Sequence, residues 1–188
     1  MSKIYVDEIT GFEGTETGAP IALSGDTATL GSAVTFPAGH IIKLATGLKT
    51  TSDTTSGNNN TGTSGFDTGL TVNLNVTSSS NDVVVIANVN WAYDTSNDTK
   101  LTIQATKSGQ TTQEIAKSLQ YGLGNYHGIS VSLIGKYSPT VSGTWTFTVY
   151  GQSVGNMGIN AQNGSGSTIT DQDALSLVSS ITAFEVQV

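Results

Sequence analysis

Cysteine and arginine are both absent from this 188-residue sequence, and charged residues of every kind make up only 11% of it. Without cysteine there can be no disulfide framework and no thiolate metal site, which fits assembly in a reducing cytoplasm. Without arginine, the basic side chains are seven scattered lysines (Lys3, Lys43, Lys49, Lys100, Lys107, Lys117 and Lys136) against a net charge of −7. No patch among them could gather phosphates, so nucleic acid is not an expected partner, and neither is an anionic membrane surface. No apolar run approaches the length of a membrane-spanning helix, and membrane insertion is not expected. The opening residues Met-Ser-Lys-Ile-Tyr-Val-Asp-Glu-Ile hold no signal-peptide core.

Polarity comes instead from hydroxyls and amides. Serine and threonine form roughly a quarter of the chain, beside 22 glycines and only 3 prolines. Long solvated helices draw their exposed faces from Lys, Glu and Arg, and the charged fraction here is about half the ordinary share. Threonine and serine suit the wet face of a strand. The composition therefore points to an all-β chain.

Two regions differ in pattern. Residues 1–38 show short apolar pulses at Ile4-Tyr5-Val6, Ile9, Ile21-Ala22-Leu23, Leu30 and Val34-Thr35-Phe36, separated by Gly11, Gly14, Gly18, Gly25 and Gly31. This spacing predicts small strands joined by turns, each burying too little to repay its own ordering. The segment is expected to order by docking, with Ile4, Tyr5, Val6, Ile9, Ile21, Leu23, Leu30, Val34 and Phe36 as the docking or oligomer contacts. A disordered tail is the alternative, and the regular pulses argue against it.

Residues 39–188 read as a β-sandwich head. The first strand is expected over His40 to Lys49, followed by a polar loop from Thr50 to Gly65. Leu70, Val72, Leu74 and Val76 alternate with Thr71, Asn73 and Asn75, and Trp145, Phe147 and Val149 alternate with Thr144, Thr146 and Thr148. Strict alternation means one buried face and one wet face. Val83-Val84-Val85-Ile86 is apolar on both faces and reads as a central strand. Leu101, Ile103 and Ala105 form a shorter run, and Ile129, Val131 and Leu133 another. At the end, Phe184, Val186 and Val188 are expected inward, with Glu185 on the polar face. Thr111–Leu119 and Asp171–Val178 could each hold a helical turn. About eight strands with polar turns between them fit a sandwich of the jelly-roll kind.

No catalytic or metal site emerges. His40 and His127 are far apart in sequence with no ligand spacing around them, and a structural or surface role is expected for both. Asp94, Asn97 and Asp98, like Asp171 and Asp173, lack the regular spacing of a calcium loop and suit turns. The glutamates, among them Glu114 and Glu185, do not form a pair of the kind a glycosidase uses across a sugar. No nucleophile elbow or phosphate loop is present. The expectation is a chain without enzymatic activity, cofactor or metal.

The stretch Gly18-Ala19-Pro20-Ile21-Ala22-Leu23-Ser24-Gly25-Asp26, running through Val34-Thr35-Phe36-Pro37-Ala38-Gly39-His40-Ile41-Ile42, resembles the entrance to the head of marine bacteriophage fibre-like virion proteins. Asp67–Val72, Thr77–Asp82 and the ending Ser179–Val186 are similar to strands of those heads. The resemblance implies a homotrimer with a C1q/TNF-like jelly-roll head, a virion location after assembly in the host bacterial cytoplasm, and capsid or tail proteins as partners. An arm under forty residues long spans at most roughly 120 Å fully extended. That favours a short fibre, spike or capsid decoration over a long shaft. Recognition of host surface glycan is the alternative function, with Tyr93, Tyr121, Tyr126, Tyr137 and Tyr150 as candidate stacking rings. A depolymerase is a third, weaker reading.

Overall fold

A computed structural model describes residues 8–9, 21–24, 27–30, 37–55, 65–93, 99–120, 127–153, 157–160 and 177–188. The chain divides into two compact units, Met1–Ala38 and Gly39–Val188. In the first, β1 (Glu8–Ile9), β2 (Ile21–Ser24) and β3 (Thr27–Leu30) form an antiparallel sheet in that order. Ile21 stands opposite Leu30, and Ile9 opposite Ile21. Of the expected docking residues, Ile9, Ile21, Leu23 and Leu30 lie on these strands. Ile4, Tyr5, Val6, Val34 and Phe36 lie outside the described residues.

The second unit is all-β. Its strands are β4 (Ile41–Lys49), β5 (Asp53–Thr55), β6 (Phe66–Val76), β7 (Asp82–Tyr93), β8 (Thr99–Thr106), β9 (Gln113–Gln120), β10 (His127–Tyr137), β11 (Gly143–Ser153), β12 (Met157–Ile159) and β13 (Ser179–Val186). The long strands form four nested antiparallel pairs: β4 with β13, β6 with β11, β7 with β10, and β8 with β9. Folded over, they make two sheets, β4-β13-β7-β10 and β6-β11-β8-β9. Nested pairs wrapped into two sheets are a jelly roll. The short β12 pairs with β7 beyond the point where β13 leaves it, and β5 flanks β12.

The alternating residues read from sequence meet between the sheets. Leu70, Val72, Leu74 and Val76 from β6 and Trp145, Phe147 and Val149 from β11 face Val83, Val85, Ala87, Val89 and Trp91 from β7, all buried. The Trp145 indole Nε1 donates to the Val141 carbonyl at 3.0 Å, so its burial leaves no orphan donor. The Tyr137 ring stands edge-on to Trp145 and Phe147, with centroids 4.8 and 6.3 Å away.

Three expectations fail, the first because residues 53–55 of the loop expected over 50–65 form strand β5 against β12. The segment 111–119 is no helical turn: residues 113–120 form edge strand β9. A register shift sets Ile103 opposite Ala116 and Gln104 opposite Glu114, so Ile115 is the extra residue of a bulge. The bulge puts both Ile115 and Ala116 against the core, and the leftover spacing of Ile115 and Leu119 imitates a helix. The parity of β13 is also reversed. Ile181, Ala183 and Glu185 point inward and are fully buried, while Phe184 and Val186 lie half-buried on the outer face. A one-residue change of parity moves a whole strand's side chains across the sheet. Asp171 to Ser176 lie outside the described residues.

Asn160 joins the ends of four strands. It adopts a positive φ of 54°, a conformation asparagine tolerates better than most residues. Its amide nitrogen donates to the Lys49 carbonyl at 2.7 Å and the Thr51 carbonyl at 3.3 Å, and its Oδ1 accepts from Ser179 Oγ at 2.7 Å. Ser179 Oγ in turn accepts from the Asn90 backbone N–H at 2.9 Å. This knot bridges the gap between β12 and β13. Asn160→Ala strips partners from buried groups and is expected to lower unfolding free energy by about 2–3 kcal/mol, measured by urea denaturation. An unchanged midpoint would remove the knot from the list of structural determinants.

Candidate functional site

Strand ends sort the connections into two groups. The turns at 77–81, 107–112 and 138–142 lie at one end of the jelly roll, because β6 ends at Val76 opposite Gly143 and β10 ends at Tyr137 opposite Val83. The chain enters the head at the same end, where the Gly39 N–H donates to the Gln187 carbonyl at 2.7 Å and the Gln187 N–H to the His40 carbonyl at 2.9 Å. The strand ends bounding residues 56–64, 94–98, 121–126, 154–156 and 161–176 lie at the opposite end.

The outer faces of the two sheets differ in character. On the β6-β11-β8-β9 sheet, Thr71, Asn73 and Asn75 stand beside Thr144, Thr146 and Thr148, and the side chains bond one another. Thr146 Oγ1 donates to Asn73 Oδ1 at 2.7 Å, and Thr71 and Thr148 share a hydrogen bond of 3.0 Å. On the β4-β13-β7-β10 sheet the register gives a row Leu44, Phe184, Val84, Lys136, and a second row Thr46, Thr182, Ile86, Ile134. Leu48 follows along β4 and Ile41 begins it. Ile134, Leu48, Leu44 and Ile41 are 69%, 65%, 60% and 54% exposed. Four large apolar side chains exposed on one sheet face, interleaved with Thr46, Thr182 and Lys136, are more than scattered surface hydrophobics and mark a candidate contact face. The next rows, apart from Leu48, are polar: Ser132 donates to Asn88 and Ser130 to Asn90, each at 2.7 Å.

Glu185 is buried beneath the 77–81 turn. Its Oε1 accepts from the Thr77 N–H at 2.7 Å, the Thr77 hydroxyl at 2.5 Å, the Ser78 N–H at 3.3 Å and the Asn81 amide at 2.7 Å. Its Oε2 has no partner. Burial alone would raise this carboxyl, but the hydrogen bonds from Thr77, Asn81 and the two backbone amides outweigh it and hold Glu185 below its ordinary range. With its donors all drawn from one turn, this carboxylate secures the 77–81 turn.

A cleft of about 350 Å³ opens between the 107–112 and 138–142 turns. Its aromatic wall is Tyr137 with Trp145 behind it, and its rim carries Gln110, Thr111, Gln113, Ser138 and Thr140. Thr140 and Gln110 bond each other at 3.2 Å. Burial raises the Tyr137 phenol above its ordinary value.

The remaining sequence candidates are dispersed. His40 is exposed where the chain enters the head, and the side chain of His127 lies outside the described residues, as do Asp94, Asn97, Asp98, Asp171 and Asp173. Glu114 is ion-paired with Lys100 at 2.8 Å. Among the described residues no three His, Asp or Glu side chains come together as metal ligands. Of the tyrosines, Tyr137 lines the cleft and Tyr150 is half-buried on β11 near Asp67. The Tyr93 side chain, Tyr121 and Tyr126 lie outside the described residues.

No protein-family model matches the chain, and no curated protein matches it. Solved structures with some likeness include the Eiger TNF from S. frugiperda, at 10% identity over 78% of this chain and 93% of that one, with a TM-score of 0.45. The CBM22-1 xylan-binding domain of Paenibacillus barcinonensis Xyn10C is 13% identical over 82% and 99%, with a TM-score of 0.43. The tripod from the baseplate of bacteriophage Tuc2009 is 16% identical over 94% and 83%, with a TM-score of 0.37. Likeness at this level assigns no function, and the jelly-roll description rests on the strand order itself.

Sequence reasoning missed the outer apolar face and the Glu185 hub. The first had a signal: Ile134 interrupts the polar series Ser130, Ser132, Lys136 on the wet side of β10. The second had none, because its donors lie 104 to 108 residues away.

Proposed function

We propose that this chain is a non-enzymatic structural protein of a bacteriophage virion, a short trimeric fibre, spike or capsid decoration displayed on the particle and attached through residues 1–38. The observation that carries the reading is the exposed apolar face of the β4-β13-β7-β10 sheet. Leu44, Leu48 and Ile134 gain free energy by leaving water, and three copies arranged around an axis can cover one another's patch in a closed assembly. The Ser and Asn rows beside it supply a polar rim, as protein interfaces commonly have. The virion assignment draws on the resemblance of residues 36–42 and 179–186 to fibre-like proteins.

Mass photometry tests the assembly. The expected species is three times the 19.4 kDa of the chain, and a monomer at micromolar concentration sinks the reading. Ile134→Lys is expected to release monomers that remain folded, because position 134 is exposed within the single chain. Removing residues 1–38 should leave a head that no longer joins particles. A second reading, recognition of glycan by the head, is favoured by the neutral cleft beside Tyr137.

A further inference from the structure

The cleft between the 107–112 and 138–142 turns is selective by composition. None of the side chains lining it carries a charge at neutral pH, so a phosphate, carboxylate or cation finds no counter-charge there. The charged residues that adjoin the lining in sequence are engaged elsewhere: Lys136 pairs with Asp82 at 2.6 Å, Ser138 donates to Asp82, Glu114 pairs with Lys100, and Lys107 donates to the Thr144 carbonyl. A purely apolar ligand would strip water from the amides and hydroxyls of the rim without replacing its hydrogen bonds. The ligand that suits such a wall and rim has an aliphatic face and many hydroxyls.

Tyr137 is held for that task. Edge-on contacts with Trp145 and Phe147 fix its ring and leave its hydroxyl unused: among the described residues nothing hydrogen-bonds to the Tyr137 phenol, the Thr111 hydroxyl or the Gln113 amide. The volume lies within the range of small-molecule sites. We propose that this cleft binds a neutral saccharide, with a pyranose ring against Tyr137 and its hydroxyls bonded by Gln113, Thr111 and the Tyr137 phenol. The site deepens the glycan reading and is independent of the assembly reading.

The full-length protein, mixed with the methyl glycosides and disaccharides of glucose, galactose, mannose and N-acetylglucosamine, tests it by saturation-transfer NMR. Transfer to at least one sugar is expected, saturating in the millimolar range, with Gln113→Ala and Tyr137→Phe each weakening binding about five-fold. Gln113 is exposed, so its variant should keep the wild-type melting temperature. No transfer to any of these sugars at about 10 mM, or affinity unaffected by both substitutions, overturns the site. Failure of sugar binding in a protein that is still trimeric leaves the assembly reading standing. A monomer that binds sugar does the reverse.

Discussion

Glu185→Ala is expected to destabilise the head by about 3–5 kcal/mol, among the largest effects of any single substitution in it. The carboxylate is fully buried and its Oε1 collects four donors from the 77–81 turn. Removing it leaves the Thr77 and Ser78 amides and the Thr77 hydroxyl without this acceptor, and the Asn81 amide with only the Thr77 hydroxyl at 3.3 Å. Each group left unpaired carries a desolvation penalty of about 1–3 kcal/mol unless water replaces the lost partner. Glu185→Gln keeps an acceptor at Oε1 but surrenders the charge that strengthens these bonds, so a smaller loss of about 1–2 kcal/mol is expected. Chemical denaturation of the three proteins gives the order wild type, glutamine, alanine. A Glu185→Ala midpoint equal to that of wild type would show that water serves the turn equally well.

The same carboxylate sets part of the acid response. Because its folded pKa lies below the ordinary 4.5, the ionised form stabilises the fold above that value, and the contribution disappears as the pH falls through the depressed one. Asp82 acts in the same direction: the hydrogen bonds from Lys136 and Ser138 lower it, against a smaller opposing effect of burial. The wild-type melting temperature should therefore fall below about pH 4.5, and Glu185→Gln should fall less steeply through that window, retaining the Asp82 component. Parallel pH profiles for the two proteins would mean that Glu185 is not depressed.

What sequence reveals here depends on how local the cause is. β6 and β11 are legible because neighbouring residues alternate between core and solvent, and β7 because it is apolar on both faces. β13 is apolar on both faces as well, for an unrelated reason: Phe184 and Val186 belong to the exposed patch, while Ala183 and Glu185 meet the interior. With a large residue outside and a carboxylate inside, hydropathy alone chooses the wrong parity. The Glu185 hub and the Asn160 knot depend on partners brought together by nesting the first strand against the last. Tyr137 is visible as an aromatic at a strand end, but its selection over Tyr150 follows only once the two turns have formed the cleft around it. The arm's apolar pulses give short strands where they are described, β2 and β3.

Glycine exposes the closest approaches in the sandwich, and Gly151→Ala and Gly47→Ala are expected to cost about 3 kcal/mol or more each. A Cβ at position 151 would lie 2.1 Å from Cη2 of Trp91, and one at position 47 would lie 1.9 Å from the Thr71 carbonyl oxygen. Gly39 is the control. Its φ of 86° disfavours a side chain but its surroundings are open, so Gly39→Ala should show only the backbone term of about 1–2 kcal/mol. The two buried sites should differ in whether they can be rescued. Trp91 is a side chain, and in a Trp91→Phe background the smaller ring makes room, so Gly151→Ala should cost less there than in wild type, a coupling readable from a double-mutant cycle. At Gly47 the obstacle is the backbone of β6, so accommodation requires β4 to move away from β6. No side-chain change should recover that loss, and a rescue of Gly47→Ala by truncating its side-chain neighbour Ile181 would place the obstruction in the core and not in the β6 backbone.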